Sequence, residues 1–194
     1  MVEKRLLEKY YLVAIDRPGF GYSDFGEAQS LQTQTELLHE AIRKLGLKSV
    51  ALVGHSMGGP VICDLAGTYP ESYKQLYVLA GSVDPAAEKP ERWRQVLMVK
   101  PVRYLVPQAL RTSNDELFWL KADLYDLKPK LKNISGNVRI IHGTKDRLVP
   151  YSNVDFLKKA LTAAQKVDVV TIENADHFIP WSHYEIVLAA LINE

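Results

Sequence analysis

A serine fenced by glycines, Gly54-His55-Ser56-Met57-Gly58-Gly59, follows the apolar run Val50–Val53 and precedes a helix-like pattern of Val61, Ile62, Leu65 and Ala66. The spacing Gly-x-Ser-x-Gly between a strand and a helix points to nucleophilic chemistry. Such a sharp turn lifts the hydroxyl above the sheet, and glycine removes the side chains that would collide with backbone there. A helix starting just after Ser56 aims free N–H groups and its positive dipole end at the place where negative charge would develop. A phosphate loop would carry Gly-Lys-Ser or Gly-Lys-Thr, and neither is present.

A serine hydroxyl needs a base, and the base needs a group to orient it. Two later stretches supply candidates. His142-Gly143-Thr144-Lys145-Asp146-Arg147-Leu148-Val149-Pro150 follows the apolar run Val138–Ile141, and Glu173-Asn174-Ala175-Asp176-His177-Phe178 follows Val167–Ile172. Parallel strands end on one edge of a sheet, so Ser56, Asp146 and His177 are expected to converge there as the catalytic residues. Asp84, in Gly81-Ser82-Val83-Asp84-Pro85, is the alternative acid. Asp176, adjacent to His177, reads as structural, His55 as shaping the turn, and His142 as packing at a strand end. His39 and His183 read as surface helix residues. Ser23 reads equally as an entrance residue and as a plain loop serine.

These residues need elements to hold them. Five apolar runs, Tyr10–Ile15, Val50–Val53, Leu76–Leu79, Val138–Ile141 and Val167–Ile172, are mostly continuous, as parallel strands covered on both faces require. Helical stripes over 31–45, 61–69, 154–164 and 184–192 separate several of them. The expected fold is α/β, a mainly parallel sheet with helices on both faces. Residues 85–134 break the alternation. They show no strand signal, but Trp93, Leu97, Tyr104, Phe118 and Tyr125 cluster among Pro90, Pro101, Pro107 and Pro129. We read 85–134 as a small helical cap inserted into a core formed by 1–84 and 135–194. The other reading makes the same segment a helical stretch that completes the core.

Composition narrows the classes. At 194 residues the chain is most economically one domain, and 47% apolar with 24% charged residues is ordinary for a soluble protein. A net charge of +1 gives no argument for nucleic acid or a membrane surface as partner. The lone Cys63 excludes an internal disulfide and fits a reducing, cytoplasmic compartment, with burial in a helix as its expected fate. No apolar stretch approaches the roughly 20 residues of a membrane span, and Met1-Val2-Glu3-Lys4-Arg5 does not lead into a secretory pattern. No spacing suggests a zinc or nucleotide site.

With these motifs in place, the chain resembles the α/β-hydrolase family, in its serine esterase, lipase and peroxidase-like group. Asp16-Arg17-Pro18-Gly19-Phe20-Gly21-Tyr22-Ser23-Asp24 resembles the loop after the family's fourth strand. The Ser56 motif resembles its nucleophile turn, the Asp146 stretch its acid loop, and Asp176-His177-Phe178-Ile179-Pro180-Trp181 its histidine loop. The likeness runs from Glu3 to Asn193 and is least specific over the cap. It implies Ser56 as nucleophile, His177 as base and then acid, Asp146 as orienting carboxylate, and the backbone N–H of Met57 as one oxyanion donor. It implies no metal and no organic cofactor.

One departure matters. The family's other oxyanion donor sits on a loop after its third strand, usually opening with His-Gly, and nothing upstream of Ser56 supplies it; Ile141-His142-Gly143 follows the serine. The resemblance places the chain's start within the helix before the fourth strand, with the first three strands absent. Because the third strand lies between the fourth and fifth, a gap is expected between Tyr10–Ile15 and Val50–Val53. Three resolutions are open: the flanking strands pair directly, a second chain completes the sheet in a homo-oligomer, or a missing N-terminal segment does. The expected activity is cleavage of small carboxylic esters through an acyl-enzyme, weakly. The alternative is a low-activity or non-catalytic ligand-binding or scaffolding protein. Serine at position 56 disfavours the branches with an aspartate nucleophile, while perhydrolase, lactonase and carbon–carbon hydrolase chemistries stay open.

Overall fold

Four of the five apolar runs become strands. The computed structural model describes residues 3–23, 28–89 and 93–193; Asp24 and Pro90, and the side chain of Trp93, lie outside what it describes. Strands β1 (Ala51–His55), β2 (Gln75–Leu79), β3 (Asn137–Gly143) and β4 (Lys166–Ile172) form one sheet in the order β1-β2-β3-β4, all parallel. The register pairs Ala51 with Gln75, Gln75 with Asn137 and Asn137 with Lys166. All four carboxyl ends therefore lie along one edge.

The continuous apolar runs split by alternation onto two faces, because successive strand side chains point oppositely. Leu52, Leu76, Val78, Val138 and Ile140 join one cluster, with helices α2 (Leu31–Lys44), α3 (Gly58–Thr68), α6 (Gln108–Leu127) and α7 (Ser152–Ala160) contributing to it. Tyr77, Leu79 and Ile141 join the other, with Ile179 of α8 (Ile179–Ser182) and Val187 and Ala190 of α9 (Tyr184–Ile192). Helix α2 starts at Ser30, whose hydroxyl accepts from the Thr33 N–H at 3.2 Å and satisfies one orphan donor of the first turn. Short helices α4 (Trp93–Met98) and α5 (Val102–Leu105) precede α6, and a 3₁₀ turn at Lys128–Asn133 follows it. Within 85–134, Leu120, Leu124, Leu127 and Leu131 are buried in the first cluster, whereas Val99, Tyr104 and Leu105 are exposed.

The fifth run corrects the sequence reading. Tyr10–Ile15, expected as a strand, forms none, and residues 11–15 make no main-chain hydrogen bond among the described residues. A strand exists only with a neighbour about 4.8 Å away to receive its ladder. Here the neighbour would be β1, but a cavity of about 670 Å³ separates them, lined by Leu12, Val13 and Ile15 on one side and Ala51, Leu52 and Val53 on the other. Anchors at both ends hold the segment away from β1. The preceding helix α1 (Lys4–Leu7) packs on α9, Lys9 Nζ donates to Ile192 O at 2.7 Å and the Tyr10 hydroxyl donates to Leu191 O at 3.1 Å. At the far end Arg17 makes a bidentate pair with Glu116 of α6, at 2.7 and 3.1 Å, and donates to Gln34 of α2 at 2.7 Å. Tyr11 is consequently 87% exposed and Val53 53% exposed. A main-chain polar group shut in the slot without a partner would cost about 1–3 kcal/mol.

The two kinds of apolar residue should respond differently. Leu76→Ala, at a fully buried strand position, should cost about 2–5 kcal/mol in urea unfolding, whereas Tyr11→Lys in the unpaired segment should change stability by no more than about 0.5 kcal/mol. A large loss for Tyr11→Lys would mean that the segment is packed in solution.

Candidate active site

Ser56 leaves β1 with φ +54°, a left-handed conformation that costs a non-glycine residue. The turn is held open by two close backbone approaches. A Cβ on Gly54 would lie 2.2 Å from the Gly58 carbonyl oxygen, and one on Gly59 would lie 2.6 Å from the Gly81 Cα. The Ser56 N–H donates to Leu79 O at 3.0 Å, which fixes the serine against the end of β2. Met57 is the N-cap of α3, and its main-chain N–H has no hydrogen-bond partner among the described residues. That unspent donor sits at the positive end of an 11-residue helix, directly after the serine.

Asp146 and His177 come from the loops after β3 and β4, and those loops are tied together. Lys145 N donates to Ala175 O at 2.9 Å, Thr144 N donates to Ile172 O at 3.1 Å, and Asn174 N donates to Thr144 Oγ1 at 2.9 Å. The result is a buried contact in which His177 Nδ1 lies 2.8 Å from Asp146 Oδ2. The Asp146 carboxylate is wholly shielded, and its second oxygen accepts from the N–H groups of Leu148 and Val149 at 2.9 and 2.8 Å. Burial alone would raise the carboxyl's pKa. Hydrogen bonds from the His142 and His177 side chains and from the Val149 N–H outweigh it and hold the group well below the usual carboxylate range. With Asp146 ionised, His177 donates from Nδ1, and its Nε2 carries the free lone pair.

The structure brings His55 close as well. Its Nε2 donates to the His177 main-chain oxygen at 2.9 Å, the two rings lie 4.8 Å apart, and burial lowers the His55 pKa. His55 thus binds the serine turn to the histidine loop. His142 packs as expected, fully buried, with Nε2 donating to Val149 O at 2.9 Å, but it does more: the same nitrogen is 3.5 Å from Asp146 Oδ2. The signal was a histidine at the end of β3, four residues before the acid. Asp84 is engaged locally, its carboxylate accepting from Ala86 N at 2.9 Å and its N–H donating to the buried Asn153 Oδ1 at 2.8 Å. Asp176 accepts from Phe178 N at 3.0 Å and is a turn residue. The Ser23 hydroxyl donates to Asp16 O at 2.6 Å within its own loop. His39 departs from the surface reading: it is half-buried, stacked 3.6 Å from Tyr69, with Nδ1 2.9 Å from the Tyr73 hydroxyl. Cys63 is fully buried, and burial pushes its thiol up to about 12, so it is inert.

A parallel sheet wound with helices on both faces, a strained serine at the end of β1 and an Asp–His contact at the same edge define the class of protein. The profile of the family described as alpha/beta hydrolase fold matches residues 3–104, just over half of the sequence, and the chain belongs to that family. It is 26% identical over 224 residues to human monoacylglycerol lipase ABHD6, covering 92% of this chain and 65% of that protein. It is 33% identical over 79 residues to the uncharacterized hydrolase YugF of Bacillus subtilis, covering 40% of this chain and 29% of that protein. The match thus spans less than two thirds of the length of either relative. Among solved structures, 2-hydroxy-6-oxo-6-phenylhexa-2,4-dienoate hydrolase from Rhodococcus sp. strain RHA1 superposes with a TM-score of 0.74 at 18% identity, covering 97% of this chain and 81% of that one. No helix among the described residues is long and apolar enough to cross a membrane.

Asp146 makes the site sensitive to acid. A carboxyl whose folded pKa lies below its unfolded value of about 3.8 stabilises the fold above that pH and loses the contribution as pH falls toward the folded value. The difference in unfolding free energy between wild type and Asp146→Asn should therefore be largest above about pH 4 and shrink below it, read from urea melts at a series of pH values. A difference that stays constant down to pH 2 would contradict the ionised, hydrogen-bonded state.

Proposed function

We propose that the chain is a serine hydrolase that cleaves small carboxylic esters through an acyl-enzyme. The observation that carries this reading is the 2.8 Å contact between His177 Nδ1 and the shielded Asp146 carboxylate, on the same sheet edge from which a serine leaves β1 at φ +54°. Ser56 Oγ attacks the ester carbonyl carbon while His177 Nε2 takes the hydroxyl proton. The carbonyl π pair moves onto oxygen, where the Met57 N–H donates to it. Collapse expels the alkoxide, which leaves as alcohol with the proton from His177. Water then attacks the acyl-Ser56 ester, again giving its proton to His177, and the carboxylic acid departs as Ser56 regains a proton. Asp146 keeps the Nδ1–H tautomer in place and stabilises the imidazolium of both half-reactions.

Exposed apolar side chains near the histidine support an apolar acyl or alcohol group: Phe178 and Trp181, with the Phe178 ring 5.6 Å from that of His177 and the Trp181 ring 5.6 Å from that of His55. Residues 93–105, read as part of the cap, also expose Val99, Tyr104 and Leu105. With one oxyanion donor identified, turnover should be slow, because removing one such donor costs about 10²–10³ in kcat.

Ser56→Ala should abolish hydrolysis of p-nitrophenyl acetate, and a fluorophosphonate should label wild type at Ser56 in one-to-one stoichiometry. Asp146→Asn should lower kcat by up to about 10⁴ through loss of the right imidazole tautomer. Hydrolysis by Ser56→Ala equal to wild type sinks the proposal. Absent labelling would leave a ligand-binding protein without turnover as the function.

A further inference from the structure

His142 stands where the sheet calls for an apolar side chain. It follows Val138 and Ile140 on one face of β3, because strand side chains alternate and Ile141 joins the opposite cluster. The register pairs His142 with Thr171 of β4, and the Thr171 hydroxyl lies 2.6 Å from that of Tyr151. The Tyr151 ring in turn meets the imidazole edge to face, with centroids 5.7 Å apart. His142 is thus held from two sides and is 1% exposed. A polar ring buried there is costly unless its nitrogens are put to use.

That use converges on the acid. Both neighbours of Nε2, Val149 O at 2.9 Å and Asp146 Oδ2 at 3.5 Å, are acceptors, so this nitrogen carries a proton whatever the charge of the ring. The short bond goes to Val149 O, and Asp146 feels the same N–H from the side. Val149 is gripped at both ends: its N–H donates to Asp146 Oδ1 at 2.8 Å while its carbonyl accepts from His142. His142 therefore closes the loop that presents the carboxylate. Two imidazoles meet on one carboxylate oxygen, His177 at 2.8 Å and His142 at 3.5 Å. A second donor drawing on Oδ2 leaves less charge to hold the His177 proton. The other titratable groups facing this cluster are Tyr151 and His55 of β1, whose ring lies 4.8 Å from that of His177.

We propose that His142 is a positioning residue of the hydrolytic site: it closes the acid loop on Val149 and shares the Asp146 carboxylate with His177, moderating the carboxylate's pull on the base. The inference rests on the acyl-enzyme reading, but ring-nitrogen NMR tests it without turnover. In wild type, neutral His142 should carry its proton on Nε2 and neutral His177 on Nδ1. His142→Phe keeps a ring against Tyr151 and removes the donor, whereas His142→Gln keeps an N–H at similar reach. The Phe variant should raise the His177 titration midpoint by about half a pH unit, because Asp146 then holds the imidazolium more firmly. In p-nitrophenyl acetate hydrolysis the acid limb of kcat/KM should move up by the same amount. The loosened loop should also lower kcat by about 10–100-fold, with KM little changed. His142→Gln should bring the midpoint and most of kcat back. A wild-type His142 with a bare Nε2 overturns the proposal, even if neither variant folds. So does a His177 midpoint in the Phe variant equal to that of wild type. Equal loss of kcat in the Phe and Gln variants with the midpoint unmoved, which plain packing would give, overturns it too. The expected NMR results without any turnover in wild type would sink the acyl-enzyme reading and leave the positioning of the imidazole standing.

Discussion

Parallel pairing is the constraint on which everything else rests. Because β1 through β4 run in one direction in a continuous register, their last residues, His55, Leu79, Gly143 and Ile172, come out on one rim. Loops leaving that rim then carry Ser56, Asp84, Asp146 and His177 without any of them needing to be near the others in sequence. The four strands are stiff, and the turns they launch are short. The sheet thus brings the loops side by side, and it is on that base that distances as small as the 2.8 Å between His177 and Asp146 are reached.

The site is then locked by bonds between loops. His55 reaches the main chain of residue 177, Thr144 and Lys145 bond to the chain around β4's end, and Asn153 holds the two N–H groups of Val83 and Asp84. Asp146 has both oxygens engaged, by the Leu148 and Val149 N–H groups and by His177. A shielded carboxylate with that many donors stays ionised. An ionised partner is what keeps an imidazole proton on Nδ1 and leaves Nε2 free to accept.

Much of this was legible in the residues, and what was not has definite causes. Continuous apolar runs located β1 to β4 to within a residue or two, and the Tyr184–Ile192 stripe became α9 unchanged. Gly54, Ser56 and Gly58 were readable as a turn because glycine spacing reflects backbone collisions, which are local. Tyr10–Ile15 misled because an apolar pattern records a preference for burial but not whether a neighbour is there to bond. His39 misled because the rings that cover it, Tyr69 and Tyr73, come from beyond the next strand and helix. The Arg17–Glu116–Gln34 cluster joins residues 82 and 99 positions apart, and no periodicity announces such a meeting. It fastens the loop after residues 10–15 to α6, so the interrupted part of the sheet and the helical segment are mechanically connected.

The interruption also changes how the molecule can misassociate. An ordinary outer edge is open sideways, so strand after strand can be added and a filament can grow from it. The bare rows flanking this slot are roofed by α2 on one side and bounded by α9 on the other. Whatever main chain is left unbonded along residues 11–15 and β1 therefore faces into a walled slot rather than along an open rim, and that geometry does not propagate from one molecule to the next as an outer edge does.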